Sequence, residues 1–316
     1  MLPPIIDAAW LAAHRDEVVL ADVRFYLDGR DPRAAYDAGH IEGAVYVDLH
    51  RWLAAEPSPA EGRHPLPAPE HFAEGLGLAG VADGSRVVAY DDAGGVIAAR
   101  LVWMLRAIGH DAALLDGGIA AWPGALSTAE PAIRPATFTP RPWPPDRLAS
   151  LHDVTAVALD SIAAPGALTP ALGDATTGGG SDAAGVAPDL RAGDTAARPA
   201  AERRTVLVDA RQRERFLGEP DGIDPRAGHI PGAESVPTRD HLGGDGRLRP
   251  VEELRATFAV AGIDQGAEVV SYCGSGVTAC HNLLVLEHAG LGRHRLYPGS
   301  WSQWSATDLP LATRDE

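Results

Sequence analysis

The sequence predicts an α/β fold written twice, as two tandem units that each hold a parallel sheet flanked by helices. Three observations lead there. A chain of 316 residues is too long for one ordinary core and suits two domains of about 100 to 150 residues. Short β-branched runs alternate with helix-like stretches such as Pro250 to Ala261 and Ala279 to His288, the pattern of βα units around a parallel sheet. The chain also repeats itself, with the same segments in the same order.

The repeated elements come in sequence. Val19-Leu-Ala-Asp-Val-Arg24 is echoed by Val206-Leu-Val-Asp-Ala-Arg211, each a short apolar run ending in Asp-x-Arg, at an offset of 187. Ala38-Gly-His-Ile-Glu-Gly-Ala44 returns as Ala227-Gly-His-Ile-Pro-Gly-Ala233, displaced by 189. Arg86-Val-Val-Ala-Tyr90 matches Glu268-Val-Val-Ser-Tyr272, and Leu115-Asp-Gly-Gly-Ile-Ala-Ala-Trp122 loosely matches Tyr297-Pro-Gly-Ser-Trp-Ser-Gln-Trp304, both at 182. Because the Asp-x-Arg pairs Asp22/Arg24 and Asp209/Arg211 and the histidines His40 and His229 occur in both units, they are expected to build turns rather than do chemistry.

Between the units, Phe138-Thr-Pro-Arg-Pro-Trp-Pro-Pro-Asp146 holds four prolines. Proline fixes φ and removes backbone donors, so an extended linker is expected, with the boundary near Pro145 and units at 1–145 and 146–316. The stretch from Gly173 to Arg204 is rich in Gly, Ala, Asp and Thr without periodicity and reads as a flexible surface insertion.

Composition excludes several classes. Acidic residues outnumber basic ones by 43 to 27, giving a formal charge of -16 that repels phosphate backbones and anionic lipid, so neither nucleic acid nor membrane is an expected partner. The same field repels an anionic substrate, so any site for one needs local positive charge or inward-pointing amides. Two cysteines cannot form a disulfide framework, and Met1-Leu2-Pro3-Pro4 is not the start of a basic and apolar leader, which fits a reducing cytoplasm. Apolar segments such as Ile97 to Ile108 are too short to span a bilayer and are interrupted by Arg100 and Arg106. No Cys/His cluster has metal-ligand spacing, and no cofactor is expected.

The segment that carries chemistry is Val269-Val-Ser-Tyr-Cys-Gly-Ser-Gly-Val-Thr-Ala-Cys-His-Asn-Leu-Leu-Val-Leu-Glu-His-Ala-Gly290, which reads as strand, tight loop and helix, with Gly290 as terminator. Cys273 falls at the carboxyl end of the strand, the edge where parallel α/β sheets bind ligands. A loop entering a helix presents unpaired N–H groups and the positive end of the macrodipole, which favour a thiolate. Gly274 and Gly276 allow the backbone angles that turn successive amides toward one sulfur. Cys280, followed by Leu283 and Leu284 at core spacing, is read as structural.

This loop resembles that of the rhodanese and mercaptopyruvate sulfurtransferase family, and Cys273-Gly-Ser-Gly-Val-Thr-Ala279 looks like the mercaptopyruvate form. The likeness spans nearly the whole chain, since that family also has two tandem rhodanese-like domains with Asp-x-Arg, Gly-His-Ile-x-Gly-Ala and a late Gly-x-x-x-Trp segment. It implies that Cys273 is a nucleophile carrying sulfur as a persulfide, with Ser275 a loop hydroxyl that activates it or orients the donor. Gly274, Gly276, Val277 and Thr278 complete the implied donor cradle. Arg215, in Glu214-Arg-Phe-Leu-Gly218, matches an arginine that binds the donor's anionic group. The family's second such arginine is missing after Glu219-Pro220, and Arg226 is the displaced candidate to replace it. His64, in Gly62-Arg-His-Pro-Leu66, matches the histidine placed opposite the loop serine, with Asp48 a candidate carboxylate behind it, although the better-aligned position holds His50.

In the first unit the cysteine position holds Asp91, which cannot form a persulfide, so that unit is expected to be non-catalytic and to wall one side of the cleft. The implied reaction takes sulfur from a small anionic donor and passes it to cyanide, a thiol or a thioredoxin-like protein. Because Gly274 and Ser275 are neutral where the thiosulfate-using branch carries basic residues, 3-mercaptopyruvate is the expected donor and thiosulfate the alternative. Cysteine phosphatases share the strand–loop–helix, but the arginine that clamps their phosphoryl oxygens would fall at Ala279 here. A non-enzymatic rhodanese-like binding module is a further alternative, though such modules usually lack the cysteine.

Overall fold

In a computed structural model, residues 1–163 and 204–314 are described. The sequence-predicted insertion at 173–204 lies outside them apart from Arg204. Among the described residues are two all-parallel sheets. The first runs in the order Ile5–Ile6, Ala112–Leu115, Val87–Tyr90, Val19–Asp22, Val45–Tyr46. The second runs Arg295–Leu296, Glu268–Tyr272, Thr205–Asp209, Ala233–Ser235. The two orders correspond strand for strand, and Leu148 bridges Leu296 in parallel where the first sheet has its outer strand Ile5–Ile6. The repeat seen in the sequence is thus a repeat of topology.

The matched motifs build matched corners. Arg24 pairs with Asp22 at 2.8 Å and donates to the carbonyls of Ala35 and Gly39, while Arg211 pairs with Asp209 at 2.6 Å and donates to that of Gly228. Each pair is buried and ties a strand end to the Gly-His-Ile turn. The turn is fixed from the other side by a tyrosine, because Tyr90 accepts from Ile41 N–H at 3.0 Å and Tyr272 from Ile230 N–H at 3.2 Å. His40 and His229 likewise bond to backbone carbonyls, those of Tyr36 and Phe216.

Helices Ala99–Ala107 and Ala279–His288 follow the two equivalent loops and pack at the junction of the sheets, with Leu101, Val102 and Leu105 in one apolar cluster with Leu283, Leu284 and Leu286. The apolar core is thus continuous from one half to the other. Arg106 and Glu287 reinforce the junction with a two-pronged ion pair at 2.6 and 3.2 Å. Between the sheets the proline-rich stretch carries no regular structure until a short 3₁₀ turn at Pro145–Arg147, and Trp143 pins it by donating to the Pro67 carbonyl at 2.8 Å. No helix among the described residues is long and apolar enough to cross a membrane.

Candidate active site

Strand Glu268–Tyr272 ends in register with Asp209, and Cys273 is the first residue beyond it. The turn that follows is dictated by Gly276, whose φ of +77° is left-handed and whose absent Cβ would stand 2.6 Å from the Pro298 carbonyl oxygen. This bend brings the Gly276 N–H to 3.1 Å from the Cys273 sulfur. A second segment steadies the loop from behind: Trp301 and Ser302 donate their N–H groups to the carbonyls of Cys273 and Gly274 at 3.0 and 2.9 Å, and Ser300 Oγ accepts the Cys273 N–H at 3.2 Å. Ser300 holds a φ of 52°, a left-handed angle that the matching position of the first unit gives to Gly118, at 58°.

Cys273 is only 2% exposed, yet it lines a cavity of about 460 Å³ together with Gly274, Ser275, Val277, Thr278 and Arg215, so it is reachable rather than sealed. Phe25, Val96 and Ile97 of the first unit form the opposite wall. Ser275 Oγ lies 2.8 Å from His64 Nδ1 across the junction. Burial, then the charge of Arg100, then His50 and Arg63, push the His64 pKa down to about 3, so its ring is neutral at ordinary pH. Among the described residues no carboxylate bonds that ring; its neighbours are Phe25, edge-on at 5.6 Å between centroids, and His50 at 5.1 Å. Asp48, the candidate for that place, instead caps the helix Leu49–Trp52 by accepting the Arg51 N–H at 3.0 Å.

Seven sequence-predicted residues of the second unit therefore come together with His64, and one does not join them. Arg226 points away from the sulfur: its guanidinium donates to the carbonyls of Ser305, Leu309 and Trp304 at 3.0, 2.9 and 3.1 Å. Beyond the last helix, Ser300–Trp304, Arg226 partners the carbonyls of Ser305 and Leu309 and shares that of Trp304 with the N–H and hydroxyl of Thr307. The residue that does arrive is Arg63, immediately before His64. A Cβ built on Gly274 would lie 3.0 Å from an Arg63 nitrogen and 3.3 Å from an Arg215 nitrogen, so two guanidinium groups flank the residue after the nucleophile. Sequence reasoning missed Arg63, although its place beside His64 was a usable signal. Buried Asp224, its side chain 3% exposed, pairs with both arginines, and Asp221 pairs with Arg215 at 2.5 Å.

The first unit has the same loop with a different occupant. Asp91 is fully buried, and its carboxylate accepts the N–H groups of Ala93, Gly95, Ile97 and Ala98 at 2.7 to 2.8 Å. The Ile119 N–H donates to the Asp91 carbonyl at 2.8 Å, as that of Trp301 does to Cys273. Cys280 is 0% exposed in the core, where burial pushes its thiol up to about 12, and it is structural as its spacing suggested.

Comparison with known proteins agrees with this arrangement. The model of the rhodanese-like domain matches residues 7–125 and 193–307. A Pseudomonas aeruginosa protein named as a probable 3-mercaptopyruvate sulfurtransferase is 38% identical over 98% of both chains. A Mycobacterium tuberculosis protein, whose name provisionally assigns it as the thiosulfate sulfurtransferase SseB, is 34% identical over 96% of this chain and 94% of its own. Among solved structures, SseA from Escherichia coli, described as a 3-mercaptopyruvate sulfotransferase, superposes with a TM-score of 0.72 at 28% identity, covering 95% of this chain and 99% of that one.

Proposed function

Since the chain belongs to the rhodanese-like family, we propose that it is a sulfurtransferase that takes sulfur from 3-mercaptopyruvate and holds it as a Cys273 persulfide. The observation that carries this reading is the Cys273 sulfur itself, lining an open cavity with an amide N–H 3.1 Å away and two guanidinium groups beside the next residue. Residues 1–145 then form a supporting unit and 146–316 the catalytic one.

In the proposed reaction Arg215 and Arg63 bind the donor carboxylate, which displaces the carboxylates that pair with them. The Cys273 thiolate attacks the donor sulfur; the S–S bond forms, the C–S bond breaks, and its electron pair leaves on pyruvate as the enolate. The proton on the transferred sulfur passes to the enolate carbon, giving pyruvate and the persulfide anion. Ser275, accepting from the neutral His64 ring, donates its O–H to the developing enolate oxygen, a charge that exists only beyond the ground state. Cyanide or a thiolate then attacks the outer sulfur and breaks the S–S bond, releasing thiocyanate or a new persulfide and returning Cys273. This is covalent catalysis in two half-reactions, with a small-molecule thiol or a thioredoxin-like protein as acceptor and the cytoplasm as the fitting compartment.

Intact-mass measurement after donor treatment tests it. One added sulfur atom, absent from Cys273→Ser, is expected; no gain with any donor refutes the reading. Thiosulfate is the second candidate donor, favoured by the paired arginines, which suit a dianion. A higher kcat/KM with thiosulfate would make it the donor.

A further inference from the structure

Arg100 is 0% exposed, and among the described residues no carboxylate pairs with it. Its fork bonds the carbonyls of Gly276 at 2.8 Å, His64 at 3.0 Å, Leu53 at 3.2 and 3.3 Å, and Pro65 at 3.4 Å, with the Cys280 thiol beside it. Carbonyl dipoles solvate a cation without neutralising it, and an uncompensated charge in a protein interior is costly. The same site of the second unit, at the offset of 182, carries Asn282, which tethers the Val236 carbonyl at 2.8 Å without any charge. Tethering alone therefore does not call for a guanidinium. Burial lowers the Arg100 pKa, and the opposing influences are two sulfurs, Cys280 and Cys273. Geometry singles out the sulfur that faces the cavity: Gly276 takes Arg100 on its carbonyl at 2.8 Å and offers its N–H to the Cys273 sulfur at 3.1 Å.

We propose that Arg100 is a positioning residue for sulfur transfer, clamping the His64 backbone to the Gly276 loop and taking the anionic Cys273 sulfur as its counter-charge. The inference rests on the sulfur-transfer reading for its purpose. Its geometry joins the two halves of the site: one guanidinium bonds the backbone of the residue opposite Ser275 and the loop that carries Ser275. The thiolate and the persulfide are both anions, so the same charge serves both halves of the cycle.

The test is the pH–rate profile for iodoacetamide alkylation of Cys273 in the full chain, read by mass, in Arg100→Met and Arg100→Gln. Methionine matches the buried volume and often restores stability when it replaces an interior charge. The profile is expected to move to higher pH by about one unit or more in each variant that folds by circular dichroism. An unmoved profile in either folded variant overturns the proposal, even if turnover falls. Should neither fold, Cys273→Ser decides: removing the counter-charge while keeping Arg100 lowers the thermal midpoint at neutral pH, and an unchanged midpoint overturns the proposal. Alkylation needs no sulfur donor. A wild-type protein that alkylates but never gains sulfur would sink the proposed reaction and leave this inference standing.

Discussion

Asp91 and Cys273 occupy the same point of two copies of one loop, but the Asp91 carboxylate accepts four backbone N–H groups where the Cys273 sulfur accepts one. A carboxylate oxygen stands two bonds beyond its Cβ, as the outer sulfur of a cysteine persulfide does. The first unit thus shows how much better such a loop holds a longer anion than a single sulfur. Sulfur-loaded protein is therefore expected to melt at a higher temperature than the reduced form, measured by scanning calorimetry before and after donor treatment. An equal midpoint would mean that the second loop does not close on the persulfide.

The same relationship makes Asp91 a stability residue. Asp91→Ala strands several buried amides, each costing about 1–3 kcal/mol, so a loss of several kcal/mol in urea unfolding is expected. Persulfide formation in the surviving folded fraction should be unaffected. A loss below about 1 kcal/mol would contradict the hydrogen bonding described.

Arg63 and Arg215 are expected to act on donor binding, and Arg226 on folding. A hydrogen bond to a charged group contributes about 1.5–3 kcal/mol, so Arg63→Ala and Arg215→Ala should each raise the donor KM by about tenfold or more with acceptor KM little changed. Arg226→Ala should leave donor KM unchanged and lower the melting temperature, because the Ser305 and Leu309 carbonyls lose the guanidinium that bonds them. Steady-state kinetics with varied donor separates the two roles.

Ser275→Ala should discriminate between donors. Removing one donor of a hydrogen bond to a developing oxyanion costs about 10²-fold in kcat, and only 3-mercaptopyruvate generates an enolate. With thiosulfate the loss should stay within a few-fold. Equal losses with both donors would assign Ser275 to the thiolate instead of the carbonyl.

Acid sensitivity follows from histidines whose pKa values burial depresses, most of all His64 and His281, to about 3, and His241, to about 4. Between these values and the unfolded value of about 6.5, the unfolded chain binds more protons, so stability rises with pH through this window. Their contribution is complete above about 6.5 and is lost as the pH falls toward the folded values. Melting temperature should drop steeply below pH ~6.5, and less steeply in His281→Phe, which removes one of the linked protons.

The fold was legible because each repeated motif has a local cause: an Asp-x-Arg corner, a Gly-His-Ile turn, a glycine at the one φ the loop cannot do without. Cys273, Ser275 and Arg215 were legible for the same reason. His64 was legible only through family likeness, since 211 positions separate it from Ser275. What sequence could not reveal depends on the packing of one half against the other. Arg63 reaches Gly274 only across that junction. Arg100 and Arg106 read along the chain as interruptions of an apolar run, yet both are buried and bind the opposite half, at Gly276 and Glu287. Arg226 was misassigned because charge near a motif suggests a ligand, whereas here three backbone carbonyls take all of it.

Ser300 holds a left-handed angle that a side chain tolerates at a penalty of about 1–2 kcal/mol, while Gly118 meets the same backbone demand in the other half without one. Its hydroxyl is what glycine would lose, along with the grip on the Cys273 amide. Glycine at 300 would relieve that angle but strand the buried Cys273 N–H at a cost of about 1–3 kcal/mol, so the two effects offset each other and the nucleophile is steadied at little net expense in heat resistance.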